Sequence, residues 1–260
     1  MPAAGLVTSR AGWAGKLDAQ RPRVRQHDRG PCARGDAVTG MDERIENARR
    51  LYERAVFEGD DAALAEADRG LDGVDADLAL ARGRLLHTRF LHHRDTDPGQ
   101  AREDPDELPL FDRAVRLYQA LGDVRGEAEA LFWVGCFHQV VRRDNDTAVP
   151  LLDRSLELAT QAGDKMTMSE ALRHLGIAAH AAGRLDEARA RLEESTRLRR
   201  DLGQRAGVAA NLIGLGYIAA GQGRHDDALA ILAEAAHLAT ASGAHRIMGS
   251  VEEAQAALTG

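Results

Sequence analysis

From residue 124 onward, apolar and polar positions fall into rows of about forty residues, and each row carries two stretches with helical spacing. In the middle row, Leu172, Leu175 and Ala179 stand three and four apart, which places them on one helical face. Gly183 follows and ends that helix, because a glycine readily adopts the left-handed conformation at a helix C-terminus. Asp186 and Glu187 then open a second helix, where acidic side chains suit the positive end of the helix dipole. Its apolar stripe is Ala188, Leu192, Ser195 and Leu198. The next row repeats the scheme with Leu212, Leu215, Ala219, Gly223, Asp226, Asp227, Ala228, Leu232, Ala235 and Leu238.

Several columns agree on one period. Gly122, Gly163, Gly203 and Gly243 recur at intervals of 41, 40 and 40, and Gly135, Gly176 and Gly216 at 41 and 40. Ala148, Ala188 and Ala228 keep an interval of 40, as do Leu152, Leu192 and Leu232. Small residues in two columns predict a close crossing of the paired helices, where a larger side chain would force the axes apart.

Upstream the pattern weakens but persists. Leu108-Pro109-Leu110-Phe111-Asp112-Arg113 parallels Val149-Pro150-Leu151-Leu152-Asp153-Arg154. A second-type helix is therefore expected over 106–121, partnered by a first-type helix near 77–93, with a loop over 95–105. Residues 43–58 and 62–72 read as one more, shorter pair. The expected organisation is a leader over 1–40, degenerate helix pairs over 41–123, three repeats over 124–243 and a capping helix over 244–260. An open stack needs such a cap over its last apolar face.

Composition changes this picture little. Aromatic residues make up 4% of the chain, so Ala and Leu must build the core, which suits close-packed helices and not a β-sandwich. The two cysteines, Cys32 and Cys136, form no CxxC and no disulfide framework. No signal-peptide core interrupts the first twenty residues, and a cytoplasmic protein is the default expectation. The uncharged stretch 206–223 contains five glycines and reads as a buried helix, not a membrane span. Charge is uneven. Residues 1–40 hold seven basic and three acidic side chains, a net +4 against −7 for the whole chain, so residues 41–260 carry −11. The leader lacks apolar periodicity and is expected to be disordered, with translation expected to begin at Met41, where the helical pattern starts, and a basic arm for nucleic acid or acidic partners as the alternative. An acidic body lacks the basic face a nucleic-acid partner requires.

The rows resemble the tetratricopeptide repeat in a forty-residue form: Leu172-x-x-Leu175-Gly176 with Ala188, Leu212-x-x-Leu215-Gly216 with Ala228, and Leu131-x-x-Val134-Gly135 with Ala148, the last with one extra residue in its turn. The resemblance implies an all-α, right-handed superhelical solenoid of antiparallel helix pairs that binds a protein or peptide along its concave side. Carried over position by position, it assigns the groove to Glu129, Phe132, Cys136 and Gln139, then Glu170, Arg173, Ile177 and His180, then Ala210, Ile213, Tyr217 and Ala220. Arg173 suits a carboxylate, and Phe132, Ile177, Ile213 and Tyr217 supply apolar contacts. No basic pair in these rows suggests a grip on a terminal carboxylate. The same LG…G…A…L pattern is similar to the repeat region of large bacterial transcriptional regulators, which makes a sensor of a small peptide or effector the second expectation. Self-association stays open.

Catalytic motifs are missing from the sequence. There is no phosphate loop, no HExxH and no GxSxG, and Gly214-Leu215-Gly216 lies inside a predicted helix with no strand before it. His92, His93 and Asp95, or His174 and His180, do not have the spacing of converging metal ligands. Cys136 reads as a small apolar residue. No nucleophile–base–orienter set can be assembled, in the His92–Asp95 region or elsewhere, so the expectation is a non-enzymatic protein without metal or cofactor.

Overall fold

The computed structural model describes residues 41–97, 99 and 101–259, and the expected leader lies outside these residues. Among the described residues ten α-helices follow one another: α1 (Glu43–Glu58), α2 (Ala62–Thr96), α3 (Glu107–Leu121), α4 (Val124–Val140), α5 (Asn145–Ala162), α6 (Lys165–Ala181), α7 (Leu185–Asp201), α8 (Arg205–Gly221), α9 (His225–Ala241) and α10 (His245–Thr259). Each helix packs chiefly on its neighbours in sequence, with α4 on α5, α6 on α7 and α8 on α9 as the closest pairs. The chain is an all-α solenoid of antiparallel helix pairs.

The turns follow from Gly-Asp steps. Gly163 takes φ +67° after α5, and its N–H donates to the carbonyl of Thr160 at 3.2 Å. Asp164 then caps α6, accepting the Met166 N–H at 3.1 Å and the Thr167 hydroxyl at 2.8 Å. Asp123 caps α4 in the same way, accepting the Gly126 N–H at 3.0 Å.

The paired helices cross at the small columns. Ala148, Ala188 and Ala228 are fully buried. A methyl group added at Gly176 would lie 3.0 Å from Leu192 and 3.3 Å from the carbonyl of Ala188. At Gly135 it would lie 2.9 Å from Leu152. The uncharged stretch near 206–223 is α8, 17 residues long and buried on most sides by repeat packing. Among the described residues, no helix is long and apolar enough to cross a membrane.

One boundary differs from expectation. The helices foreseen over 62–72 and 77–93 are a single 35-residue helix, α2, whose first half packs on α1 and second half on α3. Gly70 and Gly73 do not break it. A methyl group at Gly73 would touch the Arg44 guanidinium at 3.4 Å and Leu121 at 3.9 Å, so this glycine marks a close approach of neighbouring elements. Gly83, further along α2, faces the ring of Phe111 as Gly135 faces Leu152.

At the other end, α10 packs on both α9 and α8, burying Val251 and Ala254 in the last core cluster. Its first turn also reaches across the solenoid: Arg246 donates to Asp95, at the end of α2, at 2.8 Å. The length of α2 makes that contact between the two ends of the stack.

Candidate functional site

The first helices of successive pairs, α2, α4 and α6, enclose a cavity of about 660 Å³ on the inner side of the solenoid. Seven of the twelve residues expected in the groove line it: Glu129, Phe132, Cys136, Gln139, Glu170, Arg173 and Ile177. Ile247 of α10 closes one side beside Ala181. The other five lie elsewhere, with Ala210 buried and Ala220 half-buried on α8. Ile213 is fully buried in the core cluster shared with α10. Tyr217 is half-buried against that cluster, and burial followed by the Glu253 charge pushes its hydroxyl pKa up. His180 is half-buried, with its pKa lowered by burial.

The apolar wall is aromatic. Phe132 meets Trp133 and His174 edge-on, at centroid distances of 5.3 and 5.2 Å, and Trp133 stacks on Phe111 at 5.7 Å. Arg84 lies over the Trp133 ring at 5.3 Å. Gln139 fixes His174: its side-chain N–H donates to the His174 carbonyl at 3.0 Å, and its side-chain oxygen lies 2.6 Å from His174 Nδ1. Burial, then the charges of Arg173 and Arg199, hold His174 neutral with a pKa well below the usual histidine range. Neutral His174 therefore donates from Nδ1.

The polar wall is basic. Arg84, Arg94, Arg143 and Arg173 line the cavity against the acidic Glu129 and Glu170. Both acids are already engaged, Glu129 by Arg84 and Glu170 by Arg199 at 2.6 Å. Arg173 makes no hydrogen bond or ion pair with any described residue. Burial and then the charge of Arg199 bring its pKa down to about 10, so it remains a cation at neutral pH. Arg143 is the one described non-glycine residue with a left-handed backbone, at φ +56°. It occupies the turn between α4 and α5, where the corresponding turns carry Gly183 and Gly223. The basic group absent from the repeat rows is thus present: Arg84 and Arg94 come from α2, and Arg143 from the enlarged turn.

α2, α3 and α4 also assemble a set that spacing did not disclose. His87 Nδ1 lies 2.7 Å from Glu107 Oε1, and His87 Nε2 lies 3.7 Å from Cys136 Sγ. All three residues are buried. Burial lowers the His87 pKa, but Cys136 and Glu107 outweigh it and leave the imidazole raised to about 10. Cys136 packs in an apolar cluster with Phe132, Ala148 and Leu152, and the His87 imidazole, held by Glu107, stands in line with its sulfur. These residues lie 20 and 49 positions apart on α2, α3 and α4. The repeat register could have found them: His87 stands four after Gly83, as Gln139 stands four after Gly135, and Glu107 stands 41 before Ala148. His92 and His93 are exposed on α2, and no three metal-ligating side chains converge among the described residues.

Comparison with known families agrees with this architecture. The tetratricopeptide repeat model matches residues 139–201 and 167–241. No curated protein matches the chain.

Proposed function

We propose that this chain, a tetratricopeptide repeat protein, is an interaction module that holds a short acidic peptide segment in the cavity between α2, α4 and α6. Repeats of this family generally mediate protein–protein interaction. The observation that carries the narrower reading is Arg173, a cation lining the cavity while both neighbouring acids are occupied by other arginines. A peptide carboxylate would complete its ion pair, and the planar guanidinium can hold both oxygens. The wall of Phe132, Trp133 and Ile177 would receive an adjoining apolar side chain.

The enclosed shape supports a second reading. A cavity of about 660 Å³ falls within the range of roughly 300–1,000 Å³ usual for small-molecule sites. The contact from α10 to α2 further limits the length of an extended ligand. A small acidic effector would satisfy Arg173 equally well.

Calorimetric titration separates the two. Hexapeptides with an apolar residue before a free C-terminal carboxylate are compared with their amidated forms and with small dicarboxylates. Peptide binding lost on amidation and in Arg173→Met supports the interaction module. Binding of dicarboxylates alone transfers the function to effector sensing. Retention of peptide affinity in Arg173→Met removes the cavity from the account.

A further inference from the structure

Cys136, His87 and Glu107 do more than fill space between helices. The repeat column to which residue 107 belongs asks for a small apolar residue, as Ala148, Ala188 and Ala228 show. Glu107 is instead a fully buried carboxylate whose Oε1 holds His87, while its Oε2 has no partner. Burying such a group costs stability unless it is compensated, and the compensation here is directed at one imidazole. That imidazole presents its other nitrogen to the sulfur of Cys136, which lines the cavity.

We propose that Cys136 is a covalent-modification site whose sulfur exchanges with a small disulfide bearing an acidic group, admitted through the cavity. This goes beyond the peptide reading and shares with it the cavity and Arg173, while the reacting groups, Cys136 and His87, are separate from it. A thiolate beside an imidazolium is the reactive form of cysteine. The charged groups around the sulfur are His87 and Arg94 from α2, Arg173 from α6, and the lining acids Glu129 of α4 and Glu170 of α6, which are paired with Arg84 and Arg199; Glu107 of α3 reaches the sulfur through His87. α5 packs Ala148 and Leu152 against it.

The exchange balances without another reactant. The Cys136 thiolate attacks one sulfur of the incoming disulfide, a new S–S bond forms, and the old one breaks. The departing thiolate takes the electron pair and receives its proton from the His87 imidazolium. Cys136 is oxidised and the departing sulfur is reduced. Acyl transfer is less well served, because Cys136 lies within α4, whose backbone amides there serve the helix and leave no cradle for an oxyanion. The uncompensated Arg173 selects for the acidic group on the incoming disulfide.

The test uses the full chain with Cys32→Ser, so that Cys136 is the single thiol. Its reaction at pH 6 with the acidic disulfide 5,5′-dithiobis(2-nitrobenzoate) is timed beside that of a synthetic peptide spanning the α4 sequence. A free thiol with a pKa near 8.5 is almost wholly protonated at pH 6, so the folded protein should react at least about tenfold faster. A rate equal to or slower than that of the peptide overturns the proposal. His87→Gln should lose the advantage. Because that variant strands Glu107, the ratio of parent protein to peptide decides the question if it fails to fold. Arg173→Met should slow the acidic reagent several-fold and leave neutral 2,2′-dithiodipyridine unchanged. An equal effect on both reagents, or no effect on either, removes the acidic preference from the proposal.

Discussion

The α6–α7 pair and the α2–α3 pair are built on one plan and put it to different uses. In α6–α7, Gly176 meets Leu192 and Ala188, and the crossing consists of small and apolar groups. In α2–α3, Gly83 meets Phe111, but the alanine of the crossing is replaced by Glu107, whose carboxylate holds His87, four after the glycine. The first pair gains stability from the crossing. The second gives up part of that apolar contact and obtains a buried ion pair directed at Cys136. Departures from a repeat's own rules accumulate at functional sites more readily than elsewhere. Glu107 and the left-handed Arg143 both depart beside one cavity, Glu107 through its bond to the cavity-lining His87.

The hardest way to break this contrast is to restore the alanine. Glu107→Ala removes the partner of His87 while the imidazole remains buried. Breaking a buried charged pair from one side costs about 3–5 kcal/mol. Thermal unfolding should show a larger loss than any substitution at the glycine crossings or at the two ends of the solenoid. A melting curve equal to the parent's would mean that His87 is neutral and that the pair carries no charge.

The crossings themselves come next. A methyl group at Gly83 would lie 2.5 Å from the Phe111 ring, a rigid neighbour, whereas at Gly176 the nearest atom is Leu192 at 3.0 Å. Overpacking costs about 1–3 kcal/mol, and Gly83→Ala should lie nearer the upper end than Gly176→Ala. Ala188→Leu should also lower the melting temperature, since Ala188 is fully enclosed. Equal melting curves for the two glycine variants would show that Phe111 can move aside.

These two pairs also explain what the sequence discloses. The Gly, Ala and Leu columns of α4 to α9 impose one packing solution three times, so fold, turns and most groove positions are legible. Seven of the twelve groove positions line the cavity because they share a helix face fixed by those columns. Tyr217 and Ile213 do not, because α10 packs on α8 and the last row has a terminal helix where the others have a further repeat. The 35 residues of α2 look like two helices in the sequence because Gly70 and Gly73 resemble breakers, when they are contact points for neighbouring elements. His87, Glu107 and Cys136 are hidden by distance along the chain. Gly83 and Glu107 stand 24 positions apart where Gly135 and Ala148 stand 13 apart, and that excess obscures the register that aligns Glu107 with Ala148.

A pH series sharpens the comparison, because the α6–α7 crossing holds no titrating pair of this kind. The folded pKa of His87 stands above its ordinary value of 6.5, at about 10. Stabilisation by its charged form is therefore complete below pH 6.5 and is lost as pH rises through about 10. Across that window the parent protein should lose at least about 1 kcal/mol, a fall in melting temperature of roughly 2–4 °C. His87→Gln should flatten the curve. A parallel decline in both proteins would assign the alkaline loss to other groups.

The smallest effect on stability concerns the contact between the two ends of the solenoid. Arg246 is 59% exposed and Asp95 is 8% exposed, and the pair joins α10 to α2 across 151 residues. An ion pair with one exposed partner contributes about 0–1 kcal/mol, so Arg246→Ala should barely shift the melting curve. Its effect on the cavity should be larger than its effect on stability, because Ile247 beside it forms part of the lining. Hydrogen exchange of the first turn of α10 should quicken in the variant while exchange in α6 and α7 stays unchanged. If neither α10 nor the end of α2 exchanges faster, packing of Val251 and Ala254 alone holds α10 in place, and the closed end of the cavity owes nothing to this ion pair.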